Sequence, residues 1–244
     1  MSKGKKIWKV GSWIGGTLFL LLLLGFAKEK REETALKNLH FSIKHPSGQL
    51  FLTIEDVHQL IASEADTTAN VRLSEINIAL LEESIENHPL ILSAEVYSNL
   101  SGGLFVDVVQ KEALARVLGD TERYYIDVLG ERMPLSPHYS APVPLVSGRM
   151  DSVGMSESLK VLKACREDAD FWPLLAGVDV RENGTVRIFT RMGSHEILIG
   201  RTTDLEEKIK KLKAFYEYGI DKNELPQLKR IDLRFNRQVI VQKK

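Results

Sequence analysis

The chain is short of the residue patterns from which chemistry is usually built. There is one cysteine, Cys165, in 244 residues, so no disulfide can close within it. Neither sign of charge is in excess, with 33 Lys and Arg against 33 Asp and Glu. A nucleic-acid binder normally carries a basic surplus, so that class is disfavoured. No Walker loop, HExxH, GxSxG, CxxC or dinucleotide-binding fingerprint occurs. His40, His45, His58, His88, His138 and His195 are scattered, and no pair has the i, i+4 spacing of a helical metal site. His40 and His45 fall on opposite faces of an extended strand. Cys165 lies in a helical pattern without an activating base and reads as a packing residue. Tyr125 and Asp127 would suit acid–base work, but in the alternating Arg123–Asp127 run they fall opposite an inward pair, Tyr124 and Ile126. The sequence therefore offers no catalytic, cofactor-binding or metal-ligating set. Hydrophobic residues at 43% and charged residues at 27% exclude a disordered, collagen-like or disulfide-stapled chain. At roughly 100–200 residues per domain, one or two folded units fit.

What is present is an uneven distribution of charge. Lys3, Lys5, Lys6 and Lys9 stand in residues 1–9 without an acid, and residues 10–27 carry no charge at all. At ~1.5 Å per residue, that stretch spans ~27 Å, close to the ~30 Å hydrocarbon core of a bilayer. Trp8 and Trp13 sit near its amino end, where indole rings suit the membrane interface. The expectation is a cytoplasmic tail (1–9), a single transmembrane helix (10–27) and export of the rest, since basic residues stay inside. Beyond residue 27 there remain 29 basic and 33 acidic residues, a net charge of −4. A cleaved signal peptide is the alternative, because Gly25-Phe26-Ala27 offers small residues at −3 and −1. The apolar stretch is longer than the ~7–15 residues of a typical signal core.

Residues 28–38 are charged and apolar-poor and read as a stalk. Phe41 and Ile43 then alternate as in a short strand. Thr53-x-x-Asp56 resembles a capping box ahead of Ile54, Val57, Leu60 and Ile61 at helical spacing. A second helix is expected from about Ser74 to His88, with Ile78, Leu81 and Ile85 inward and Pro89 as its stop. Ile91–Tyr97 and Leu104–Val109 read as strands around an Asn99–Gly103 turn. The order is β-α-α-β-β.

Residues 113–244 read as strand-rich, with helices expected at Met155–Phe171 and Asp204–Tyr218. Thr203-x-x-Glu206 suggests a capping box for the latter. Lys208, Lys210, Lys211 and Lys213 follow Glu206-Glu207 and read as a solvated helix face rather than a polynucleotide patch. Gly119-Asp120, Leu129-Gly130 and Asn183-Gly184 are turn signals. The fold class is α+β. The chain ends on Ile231–Phe235 and Gln238–Val241, as two strands or one bent strand, with no tail to cover them. A strand at a sheet edge offers unpaired backbone groups to a partner strand.

This combination resembles the FtsQ/DivIB family of bacterial cell-division proteins. The first exported unit (39–112) is similar to a POTRA domain in Asn87-His88-Pro89, Ile91–Tyr97 and Leu104–Val109 leading into Ala115-Arg116. Gln110-Lys111-Glu112-Ala113 departs from the family's Glu-Arg-x-Pro, and the loop 99–103 lacks the usual proline. The second unit (113–244) is similar to the FtsQ β domain. It has Tyr125-Ile126-Asp127-x-x-Gly130, Met133-Pro134-Leu135, Pro144-Leu145-Val146-x-Gly148 and Ile199-Gly200-x-x-x-Asp204-Leu205-x-x-Lys208. Ile231-Asp232-Leu233-Arg234-Phe235 resembles the family's closing strand, without the glycine that often follows it. The resemblance implies a non-enzymatic scaffold in the inner membrane at the division septum. It implies binding of FtsB- and FtsL-type small bitopic proteins outside the membrane, through Ile231, Asp232, Leu233, Arg234, Phe235, Val239 and Ile240. Other division proteins would meet the POTRA-like unit. The plainer alternative makes Phe235 core and Arg234 a solvated sheet charge. Two other classes stay open: a POTRA-containing outer-membrane assembly factor and an anchored extracytoplasmic enzyme.

Overall fold

The computed structural model describes Trp13, Gly16, Thr17, Phe19 and residues 35–64, 71–99, 101–119, 122–221, 225–235 and 238–244. The expected tail lies outside these residues, as do most of the expected anchor and the first seven residues of the stalk. Trp13, Gly16, Thr17 and Phe19 are helical. Among the described residues no helix is long and apolar enough to cross a membrane. The chain divides into two compact units that meet between Lys111 and Glu112, and both mix helix and strand.

The first unit runs β1 (Asn38–Lys44), α1 (Ile54–Glu64), α2 (Ile78–Glu86), β2 (Ile91–Ser98) and β3 (Gly103–Gln110). Its sheet order is β1-β3-β2, with β1 parallel and β2 antiparallel to the central β3. Thr53 and Asp56 form the reciprocal cap. The Thr53 N–H donates to Asp56 Oδ2 at 2.7 Å, and the Asp56 N–H donates to Thr53 Oγ1 at 3.2 Å. Val57 and Ile61 are fully buried, whereas Ile54 is 59% exposed and does not join their stripe. Helix α2 starts later than Ser74 because Asn77 caps it, its Oδ1 accepting from the Leu80 N–H at 3.2 Å. Gln110 is a fully buried amide. Its Nε2 donates to the Gln49 carbonyl at 2.8 Å and its Oε1 accepts from the Leu52 N–H at 2.9 Å, tying the 45–52 segment to β3.

The two outer strands of this sheet differ. On β2 the N–H groups of Val96 and Ala94 donate to Glu82 Oε1 at 2.7 Å and Glu86 Oε1 at 3.1 Å, both from α2. The helix thus occupies two edge donors that a further strand would need. Across the sheet's outer face His40, Phe105 and Tyr97 stack in a row, with centroids 4.7 and 5.1 Å apart.

The second unit runs β4 (Ala113–Leu118), β5 (Arg123–Asp127), β6 (Arg132–Met133), β7 (Leu145–Gly148), α3 (Ser152–Glu167), β8 (Leu175–Val180), β9 (Val186–Thr190), β10 (Glu196–Gly200), α4 (Leu205–Asp221), β11 (Leu228–Asp232) and β12 (Ile240–Lys243). The described strands form one sheet in the order β12-β11-β10-β9-β8-β7-β4-β5-β6. Val161, Leu162 and Cys165 of α3 and Ile209, Leu212 and Tyr216 of α4 pack on one face, against Val146, Val178, Ile188, Ile197 and Ile231. The inward and outward alternation along β9 (Val186, Ile188 in; Arg187 out) has the period of a one-sided sheet.

Three expectations for this unit change. Helix α3 begins a turn earlier, because Asp151 Oδ1 accepts from the Gly154 N–H at 2.9 Å, and ends at Glu167 rather than Phe171. Tyr125 and Asp127 are buried, at 0% and 1% exposure, although Ile126 between them is buried too. The Tyr125 hydroxyl accepts from the Ala141 N–H at 3.0 Å, so the 136–144 segment covers the second face of β5. Asp127 Oδ1 accepts from the N–H groups of Leu129 at 2.9 Å and Glu131 at 2.8 Å, while Gly130 turns at φ 91. Tyr-Ile-Asp-x-x-Gly is therefore turn chemistry. Lys208, expected in solvent, is 6% exposed, and its Nζ donates to the Arg201 carbonyl at 2.7 Å.

Candidate functional site

The closing strands were the expected contact. Ile231 and Asp232 lie on β11, an inner strand, paired to β10 in parallel (Ile197↔Ile231, Leu198↔Asp232) and to β12 in antiparallel (Ile231↔Val241, Asp232↔Ile240). Their backbone is not an open edge. The Leu233 N–H extends this pairing by donating to the Leu198 carbonyl at 2.9 Å. Ile231 is 0% and Leu233 1% exposed, so both are core side chains. The outer strand is β12, and all four of its residues are exposed.

Phe235 at 45%, Ile240 at 44% and Val241 at 37% are exposed apolar side chains of the β11–β12 segment. Val239 is partly buried against the core. The structure thus gathers Arg234, Phe235, Ile240 and Val241 as reachable groups and withdraws Ile231 and Leu233. Val241, outside the expected contact set, stands exposed beside Ile240 because pairing between β11 and β12, not local pattern, decides which strand ends the sheet.

Arg234 closes on Asp232 side-on, through the Nε and Nη2 donors of one guanidinium edge. Its Nε donates to Oδ1 at 2.9 Å and its Nη2 to Oδ2 at 2.6 Å, and its backbone N–H also reaches Oδ1 at 3.1 Å. The Asp232 side chain is largely covered and the Arg234 side chain half exposed. The guanidinium holds the Asp232 carboxyl below its usual range, against the opposing effect of burial.

A row of charges crosses the outward face of the same sheet toward this edge. Ser147 Oγ donates to Asp179 at 3.0 Å, and Arg187 donates to Asp179 at 2.6 Å and to Glu196 at 3.0 Å. Arg230 on β11 also donates to Glu196. Burial disfavours the Glu196 carboxylate, yet Arg187 and Arg230 together hold its pKa below the usual range. Opposite Arg230 on β12 stands Gln242.

Near the end of β12, His195 Nε2 meets the Tyr216 hydroxyl at 2.9 Å, and that hydroxyl meets Thr190 Oγ1 at 2.7 Å. His195 and Tyr216 are 0% and 3% exposed. Burial pushes the tyrosine up to about 12. Burial, then the nearby Lys244 charge, pushes the histidine down. Among the described residues no three His, Cys, Asp or Glu side chains are placed to hold a metal.

Comparison with known proteins places the sequence that builds these two units in a family. A POTRA-like domain model matches residues 36–109, and a model described as FtsQ/DivIB, C-terminal related, matches residues 112–242. The cell division protein FtsQ of Salinibacter ruber is 25% identical over 176 residues, 66% of this chain and 68% of that protein. By the match of its second unit, which takes in β4 to β12, the chain belongs to the FtsQ/DivIB family.

Proposed function

We propose that the chain is a non-enzymatic scaffold of the bacterial division machinery, anchored in the inner membrane by residues 10–27 with residues 1–9 in the cytoplasm. In this reading 28–38 is a stalk, 39–112 a POTRA-like unit that meets other division proteins, and 113–244 the unit that receives FtsB- and FtsL-type small bitopic proteins. The site of action is the division septum. The observation that carries the reading is the outer position of β12 beside exposed Phe235, Ile240 and Val241. Such an edge takes a partner by strand addition, with main-chain bonds supplying affinity and side chains specificity. Arg234 suits an acidic partner residue, and Phe235 is the aromatic anchor.

Affinity capture with tagged full-length protein tests this. Arg234→Glu and Phe235→Ala should each cut recovery of the small bitopic partners by about tenfold or more, while the far-UV spectrum stays that of the wild type. Undiminished recovery with both variants sinks the reading.

A further inference from the structure

We propose that Gly200 and Lys208, both in the Ile199-Gly200-x-x-x-Asp204-Leu205-x-x-Lys208 motif, are positioning residues that seat Arg234 at the docking edge. This inference rests on the docking reading above. Gly200 ends β10 at φ +75 and is buried. A Cβ there would stand 2.7 Å from Arg234 Cγ and 3.1 Å from Cδ, so the missing side chain is the space through which the Arg234 stem runs. That stem must lie there for the guanidinium to close on Asp232 through both Nε and Nη2.

The next residue is held in turn. The Lys208 ammonium donates to the Arg201 carbonyl at 2.7 Å, and the residue is 6% exposed. Burial lowers its pKa, with Asp204 opposing. An amine taken out of water to bind one backbone carbonyl fixes that carbonyl. Gly200 therefore ends β10 at a defined height under Arg234. Lys211, one turn-face further along α4, donates to the Phe235 carbonyl at 3.4 Å. The spacing from glycine to lysine is thus the length of chain needed to leave β10, turn, and bring the first helical turn back over it.

The test uses full-length protein co-expressed with the FtsB- and FtsL-type proteins of the same genome, with two readouts. One is the titration of the Asp232 carboxyl by NMR, which a general loss of stability does not move. The other is partner capture. Gly200→Ala should raise the Asp232 titration toward its ordinary value and cut capture about tenfold. Gly184→Ala is the control. Gly184 has φ +76 but nothing within 4 Å of a Cβ, so it takes the same backbone strain without touching Arg234. It should change neither readout. If Gly200→Ala does not fold, Lys208→Met, which keeps the stem and removes the amine, should shift both readouts in the same direction. Suppose Arg234→Glu abolishes capture while Gly200→Ala, or Lys208→Met in its place, leaves Asp232 and capture unchanged. The positioning role is then overturned and docking survives. If those variants move the Asp232 titration but Arg234→Glu leaves capture intact, the seat stands and the docking reading falls.

Discussion

At the scale of single residues, the buried titratable groups give the sharpest expectations. His195 is fully buried with its Nε2 on the Tyr216 hydroxyl. Its folded pKa lies below its ordinary 6.5, so the unfolded chain takes up the proton first as pH falls. Its contribution to stability is then fully present above about 6.5 and is lost as pH drops below that value. The rate is about 1.4 kcal/mol for each pH unit in which only the unfolded state binds the proton. Urea midpoints measured between pH 8 and pH 5 should fall with acid in the wild type and fall less in His195→Gln. Parallel curves would contradict this. Cys165, 0% exposed and pushed up to about 12 by burial, should resist thiol reagents until the chain opens. Its labelling rate should rise at least a hundredfold or so beyond the urea midpoint. Fast labelling of the native chain would mean that α3 is not packed as described.

At the scale of elements, local signals were legible and non-local ones were not. Thr53 and Asp56 announced their helix because a cap needs only neighbours three residues apart. The Asn183-Gly184 turn between β8 and β9 was legible for the same reason. Thr203 and Glu206 gave the same kind of signal, but Asp204 stands at φ 53 at that helix start. Asn77 and Asp151 moved two other helix starts, each a short polar side chain able to cap where apolar spacing alone suggested another position. The face of Lys208 and the edge position of β12 depended on which chain segments pack together, and no run of sequence carries that. Family motifs pointed to the closing strands as a block, where the structure separates core residues such as Ile231 and Leu233 from reachable ones such as Phe235. A pair of truncations separates these roles. Removing residues 240–244 takes away exposed β12 only, and a cooperative urea transition should persist at a lower midpoint. Removing residues 231–244 also deletes Ile231 and Leu233, 0% and 1% exposed. At about 2–5 kcal/mol for each such side chain, the second unit should then lose its transition. An intact transition after the longer deletion would show that β11 is not an inner strand.

At the scale of the whole molecule, the zero net charge is a sum over uneven parts. Four lysines precede residue 10 and a net −4 follows residue 27. On the proposed topology the basic tail faces the anionic inner leaflet and the acidic remainder lies beyond the bilayer. Such a chain stands at some density in a two-dimensional sheet of membrane, where neighbours meet often. The carboxylates of Glu82 and Glu86 on the β2 edge then take on another meaning. In the vocabulary of polymerisation, the three-stranded sheet is a monomer with one of its two ends quenched. A strand added past β2 would have to displace both carboxylates, so a fibre that needs both ends of the sheet does not propagate through it.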